Sequence, residues 1–260
     1  MLFNIGDSVT RKSYNNDIVF KIEDIDGDIA YLKGINIRLE ADSVLDDLVK
    51  TDDIKTEDED RINVLVKDFD LDRKDYFYLP GKVLHIDGDS FYLERCMNLY
   101  KKLNIMAYGI CLKEMDIENN IDKYLEELNP DILVITGHDA YYKKKGNSSD
   151  INNYKNSKNF VDAVKKARNY EKDQDKLVII AGACQSDYED LIRAGATFAS
   201  SPKRINIHAL DPAIIASFVS LYDRNKVIDL KEILSKIKSG SDGIGGIAVS
   251  GCMFVGYPRW

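Results

Sequence analysis

Two apolar runs, Ile132-Leu133-Val134-Ile135 and Leu177-Val178-Ile179-Ile180-Ala181, carry no polar alternation. A strand with one wet face alternates in polarity. Strands of this kind must instead be covered on both faces, which calls for a parallel sheet with helices on either side. Each run stops at glycine and hands over a reactive side chain: Thr136-Gly137-His138 after the first, Gly182-Ala183-Cys184 after the second. Ligands and catalytic groups collect at the carboxyl edge of such sheets. Cys184 follows His138 by 46 residues, enough for one crossover, and neighbouring strands lie about 4.8 Å apart. The pattern therefore predicts an imidazole and a thiol on one rim.

The surrounding chain repeats β-α units. Val83–Ile86 reads as a strand. A helix from Asp89 to about Leu103 follows, with Asp89 as N-cap and Phe91, Leu93, Met97 and Tyr100 turned inward. Met106–Ile110 is a second strand, and a helix carrying Ile121, Tyr124, Leu125 and Leu128 ends before Pro130. A helix from Ser157 to about Tyr170 buries Phe160, Val161, Val164 and Ala167; a short helix ends near Gly195, and Thr197–Ser200 is a further strand. Such repetition predicts a doubly wound, mostly parallel sheet with helices on both faces. Tyr141–Asp150 has no core-forming pattern and reads as a mobile loop beside the site.

Residues 1–50 differ. Short alternating segments separated by Asn15-Asn16-Asp17 and Asp26-Gly27-Asp28 predict a small SH3-like β-barrel. The charged stretch that begins residues 51–75 reads as a linker or solvated helix. Residues 76–225 form the α/β domain, and 226–260 its C-terminal extension.

A net charge of −8, from 36 basic and 44 acidic residues, argues against a general nucleic-acid binder. The four cysteines have neither a disulfide framework nor metal-ligand spacing, which fits a reducing compartment. The N-terminus lacks the basic start of a secretion signal. The longest apolar segment, Ala213–Tyr222, is far short of the roughly 20 residues that span a membrane. The expectation is a cytoplasmic protein with no membrane or nucleic-acid partner, no cofactor and no metal.

A buried free cysteine is commonly inert packing. Cys184 stands apart because Gly182 and Ala183 leave room for a substrate backbone, and Gln185-Ser186-Asp187 reads as a helix N-terminus whose amides and dipole would lower the thiol pKa. His138 alone would be a solvent-facing loop histidine; paired with Cys184 it becomes a general base. A third strand end, His85-Ile86-Asp87-Gly88-Asp89, brings two carboxylates. In a cleft, Asp87 or Asp89 would select a cationic side chain, best an arginine whose fork matches a carboxylate. For Asp89 the helix-cap role is the simpler reading; for Asp87 the two are balanced.

An apolar strand ending in Gly-His and another ending in Ala-Cys, at this gap, resemble the caspase, clostripain and gingipain group of cysteine peptidases, whose caspase spacing is of this order. More closely, Pro80–Asp89, Thr136–Tyr141, Ala181–Ser186, Arg193–Pro202 and the N-terminal Ile5–Tyr14 resemble the YabG family of sporulation proteases. The resemblance implies a caspase-like fold. It also implies an endopeptidase that processes spore coat and cortex-related proteins in the mother cell and cuts after arginine, with self-cleavage open. It transfers the nucleophile and base roles to Cys184 and His138. Caspase-like enzymes usually have glycine after the histidine, and here Asp139 stands there. Its amide can still join that of Cys184 in an oxyanion hole; its carboxylate must then point away or orient His138.

Two other readings compete. A metal-dependent hydrolase would draw ligands from His85, Asp87, Asp89, His138 and Asp139 but leaves Cys184 without a task. A non-enzymatic spore-associated binding module would use the barrel, with Arg11, Lys12 and Arg38 as a basic face.

Overall fold

Because side chains alternate across a strand, a strand covered on both faces feeds two cores at once, and the inner strands of the central sheet of this protein do so. The computed structural model describes residues 3–52, 57–69, 71 and 74–259. The central sheet has six strands: β7 (Val83–Asp87), β8 (Ala107–Cys111), β9 (Ile132–Thr136), β10 (Val178–Ala181), β11 (Phe198–Ser200) and β12 (Ile244–Gly246), in the order β12-β11-β10-β9-β7-β8. All pairings are parallel except β11 with β12. Val83, Ile132, Val134, Val178 and Ile180 face one core; Leu84, Ile86, Leu133, Ile135 and Ile179 face the other.

The first core is closed by α1 (Asp58–Asp68), α2 (Ser90–Lys102), α6 (Asp211–Leu221) and α7 (Leu230–Ser235), and the second by α3 (Glu114–Leu128), α4 (Ser157–Tyr170) and α5 (Tyr188–Ala194). A short α8 (Gly240–Gly243) leads into β12, while β6 (Phe77–Leu79) pairs separately with β13 (Phe254–Gly256). Chain order reverses between β7 and β9, so the switch point where ligands bind in such sheets lies between the ends of those two strands.

The N-terminal region is a five-stranded antiparallel sheet of β1 (Ser8–Arg11), β2 (Phe20–Asp26), β3 (Ile29–Gly34), β4 (Glu40–Val44) and β5 (Leu48–Lys50), in the order β4-β3-β2-β1-β5. Alternation along β2 and β3 sends Phe20, Ile22, Ala30 and Leu32 inward, with Val9 and Leu48. The mixed α/β architecture, with a mostly parallel helix-flanked sheet and an antiparallel N-terminal sheet, is thus as expected. No helix among the described residues is long and apolar enough to cross a membrane.

Several local expectations need correcting. On α2 the buried residues are Tyr92, Leu93, Cys96, Leu99 and Tyr100, whereas Phe91 is exposed. Leu93 and Tyr100 are buried as expected, Met97 is partly buried, and Tyr92 and Cys96 are buried because they meet the Gly34 carbonyl and Arg38. The acidic stretch is not all solvated: Asp58 is buried against Arg95, and Ile62 and Leu65 of α1 enter the core. Residues 53–56 of that stretch lie outside the described residues. The segment after His138 is tied down by the Tyr141–Tyr154 bridge and by the Tyr142 amide donating to the Asn153 carbonyl. Arg38 offers no basic surface, since its side chain is completely buried.

Candidate active site at the carboxyl edge of the central sheet

Residues 87–89, 138–139 and 184 leave β7, β9 and β10, three neighbouring strands, at one edge. The sequence-predicted residues therefore converge there, although each has local partners that the sequence did not disclose.

His138 is nearly buried, and its Nε2 lies 2.9 Å from Asp89 Oδ2. Asp89 also caps α2, with Oδ1 accepting from the Phe91 amide at 2.9 Å, and pairs with Lys33 Nζ at 2.9 Å. Burial opposes its ionisation, but the hydrogen bonds to His138 and Lys33 hold its carboxyl well below the usual range. An ionised carboxylate only accepts, so Nε2 carries a proton, and a neutral ring has its lone pair on Nδ1. Nδ1 is buried and has no hydrogen-bond partner among the described residues. The backbone around the ring is fixed as well: the His138 amide donates to Glu114 Oε1 at 2.8 Å and its carbonyl accepts from Asn156 Nδ2 at 2.8 Å. A Cβ on Gly88 or Gly137 would sit 2.3 or 2.5 Å from Glu114 Oε1, so both glycines are needed for that carboxylate to reach the loop.

The side chain of Asp139 points away from His138. It accepts from the amides of Ala140 and Asn156 and from the hydroxyls of Ser157 (2.5 Å) and Ser186 (2.8 Å). It joins the exit of β9, the start of α4 and the loop after Cys184. Burial raises its pKa despite these bonds. The amides of Asp139 and Cys184 donate to no protein group among the described residues.

Cys184 is fully buried and makes hydrogen bonds only to Ile207 among the described residues: the Ile207 amide donates to Sγ at 3.2 Å, and Sγ lies 3.9 Å from the Ile207 carbonyl. Burial pushes its thiol up to about 12, against the Ile207 amide. Asp187 caps α5 as the sequence suggests, but the helix starts only at Tyr188, and Gln185 turns through a left-handed conformation (φ 59°) on the way, so Cys184 lies several residues before its first turn. Gly182 has a local reason too: its φ is +102°, and a Cβ there would meet Leu191 at 2.8 Å. The Cys184 and His138 side chains share no hydrogen bond. The Tyr92 ring lies edge-on to His138, with centroids 5.8 Å apart.

Asp87 is fully buried and paired with Arg38, whose Nη1 lies 2.9 Å from Oδ1 and 2.7 Å from Oδ2. Its Oδ1 also accepts from the Asp89 amide at 3.0 Å. Burial raises its pKa, but Arg38 outweighs that and holds it below the ordinary value. His85 is buried with Nδ1 3.0 Å from the Tyr100 hydroxyl, and burial lowers its pKa.

The five candidate metal ligands do not meet at one point. His85 faces Tyr100, and Asp139 holds the serine hydroxyls. Only Glu40, Asp89 and His138 bring ligand atoms within 4.8 Å of one another among the described residues, and the Lys33 ammonium sits on that carboxylate. A cation there would face a fixed positive charge. Sequence reasoning missed Lys33, Tyr92, Glu114 and Asn156, and it misplaced Arg38. Only Tyr92, at helical spacing from Cys96 and Leu99, carried a detectable signal.

The chain matches the family described as YabG peptidase U57 over residues 4–70 and 56–258. It belongs to that family. It is also 45% identical, over 289 aligned residues covering 99% of each chain, to the sporulation-specific protease YabG of Bacillus subtilis (strain 168). No solved structure matches it. The chain is therefore a protease of a sporulation family, and its substrates are proteins.

Proposed function

We propose that this protein is a cysteine endopeptidase in which Cys184 is the nucleophile and His138 the general base, cutting spore coat and cortex-related proteins after arginine in the mother cell of a sporulating bacterium. The observation that carries this reading is the arrival of His138 and Cys184 at one sheet edge from adjacent strands, with the ring Nδ1 of His138 unpartnered among the described residues. In the reaction His138 Nδ1 takes the thiol proton, and sulfur adds to the scissile carbonyl carbon. The amides of Cys184 and Asp139 donate hydrogen bonds to the developing oxyanion. The amine leaves with the proton from His138, and water then releases the acyl group from sulfur.

Asp89 positions His138 through Nε2. The cationic pocket centres on Asp87, and the burial of the Arg38 guanidinium against it supports this, because the site accepts that group in full. The N-terminal sheet, residues 1–50, is read as a unit distinct from the peptidase portion.

Incubating wild-type, Cys184→Ala and His138→Ala proteins with an arginine-containing peptide library tests the assignment. Cuts after arginine are expected from wild type, with losses of about 10³-fold or more in both variants. Full activity in Cys184→Ala, abolished by a chelator, would replace this reading with a metal-dependent one.

A further inference from the structure

The chain from Gly34, the last residue of β3, to Leu39, just before β4, reaches out of the N-terminal sheet to the carboxyl edge of the central sheet. Ile37 forms an antiparallel bridge with His208, and the Ala209 amide donates to the Asn36 carbonyl at 3.0 Å. The loop it bridges to is functional in position, because Ile207, the residue before His208, donates its amide to Cys184 Sγ. Bound peptides use backbone pairing of this kind together with side chains set in pockets.

The pocket here receives Arg38. Besides Asp87, its guanidinium meets the Ala209 carbonyl (3.4 Å from both Nε and Nη2) and Cys96 Sγ (3.6 Å from Nη2), and it lies 4.9 Å from the Tyr92 ring centroid. The Tyr92 hydroxyl, a single donor, lies within hydrogen-bond reach of the carbonyls of Gly34 (2.7 Å) and Ile37 (2.9 Å), and Arg95 Nη1 donates to that of Ile35. Just past Arg38, Glu40 Oε1 lies 3.5 Å from His138 Nε2. The chain thus meets Asp87 at Arg38 and the ring of His138 two residues later, at Glu40.

We infer that Gly34–Leu39 is an inhibitory strap that occupies the substrate path, with Arg38 standing in for the arginine of a substrate, and that the peptidase is latent until the strap lifts. The inference rests on the proposed peptidase reading and on Asp87 as its pocket. The backbone indicates why the strap blocks rather than reacts. The Leu39 amide bonds back to the Ile37 carbonyl at 2.8 Å, so Arg38 is the centre of a three-residue turn. The bond after Arg38 is not presented in extended form.

Two variants lift the strap by different routes. Arg38→Ala empties the pocket. Gly34→Ala leaves the pocket and the catalytic groups untouched but places a Cβ 2.3 Å from the Ile37 carbonyl oxygen, where the tight loop has no room for it. A ligand whose competent state is rarely populated gains in apparent affinity by the inverse of that population. Both variants should therefore hydrolyse a fluorogenic arginine tripeptide amide, and label Cys184 with an arginine-bearing electrophile, at least about tenfold faster than wild type.

Folded variants that cut and label no faster than wild type would overturn the strap and leave the peptidase reading standing. Cleavage of the Arg38–Leu39 bond in freshly purified wild type, seen by mass spectrometry, would make the segment a substrate and also overturn it. A third arm separates the two readings: in a Cys184→Ala background, either strap variant should bind an arginine peptide amide at least about tenfold more tightly by calorimetry. Tighter binding with no cutting by any protein would keep the strap and reject the cysteine chemistry.

Discussion

The N-terminal sheet closes on a small set of apolar side chains, Val9, Phe20, Ile22, Ala30, Leu32 and Leu48, whereas the inner strands of the central sheet, β7, β9, β10 and β11, are buried on both faces beneath helices. What joins the two regions around the cleft is polar and charged. Arg38 meets Asp87, Lys33 meets Asp89, Tyr92 lies within reach of two strap carbonyls and Arg95 holds a third. An apolar interface favours docking through area buried, without regard to direction. Hydrogen-bonded ion pairs set position and register, and their net stability is modest once desolvation is counted. The N-terminal region is thus placed accurately over the cleft without being welded to it, a form of attachment suited to release.

The largest expected difference is chemical. Burial holds the Cys184 thiol at about 12, and Gly34→Ala should bring it toward the free-cysteine value of about 8.5. A titration of Cys184 by ¹³C NMR, assigned by its loss in Cys184→Ala, measures this. Because the thiolate is the reactive form, the raised pKa suppresses reactivity at neutral pH and yields only as the solution becomes strongly alkaline. An unchanged titration in Gly34→Ala would mean that the central fold, and not the strap, seals the thiol.

Next is the ion pair. Asp87→Ala strands a buried guanidinium and should lower stability by about 3–5 kcal/mol, while the double replacement Arg38→Met with Asp87→Leu should lower it far less. Urea melts of the three proteins check the order. Third, Ile135→Ala and Leu32→Ala each remove a buried aliphatic side chain, at about 2–5 kcal/mol. Hydrogen exchange should show the first weakening the whole peptidase portion and the second weakening chiefly β1–β5. A global loss from Leu32→Ala would show that the two regions unfold as one.

The smallest effect is expected from Lys33→Ala, which removes a partly exposed ammonium from Asp89 for about 1 kcal/mol or less. The carboxyl of Asp89 is depressed in the folded protein. Its contribution is therefore present above its ordinary pKa of about 4 and is lost as the pH falls through the depressed value. Melting the variant and wild type at pH 7 and in acid should show their difference shrinking on the acid side.

The apolar runs at 132–135 and 177–181, the helix over 157–170 and the cap at Asp89 were legible because each rests on contacts a few residues apart. So was the arrival of His138 and Cys184 at one edge, which follows from strand direction alone. The chain order by itself determined a mostly parallel, helix-covered sheet and the residue types at its rim. Only the tertiary structure decided what those residues touch. It turned Asp139 toward Ser157 and Ser186, set Glu114 beneath the amide of His138, raised the thiol of Cys184 and brought Arg38 across 49 residues of sequence to Asp87. Those pairings join residues far apart in sequence, and their strength depends on how much water the fold removes, which no local pattern encodes.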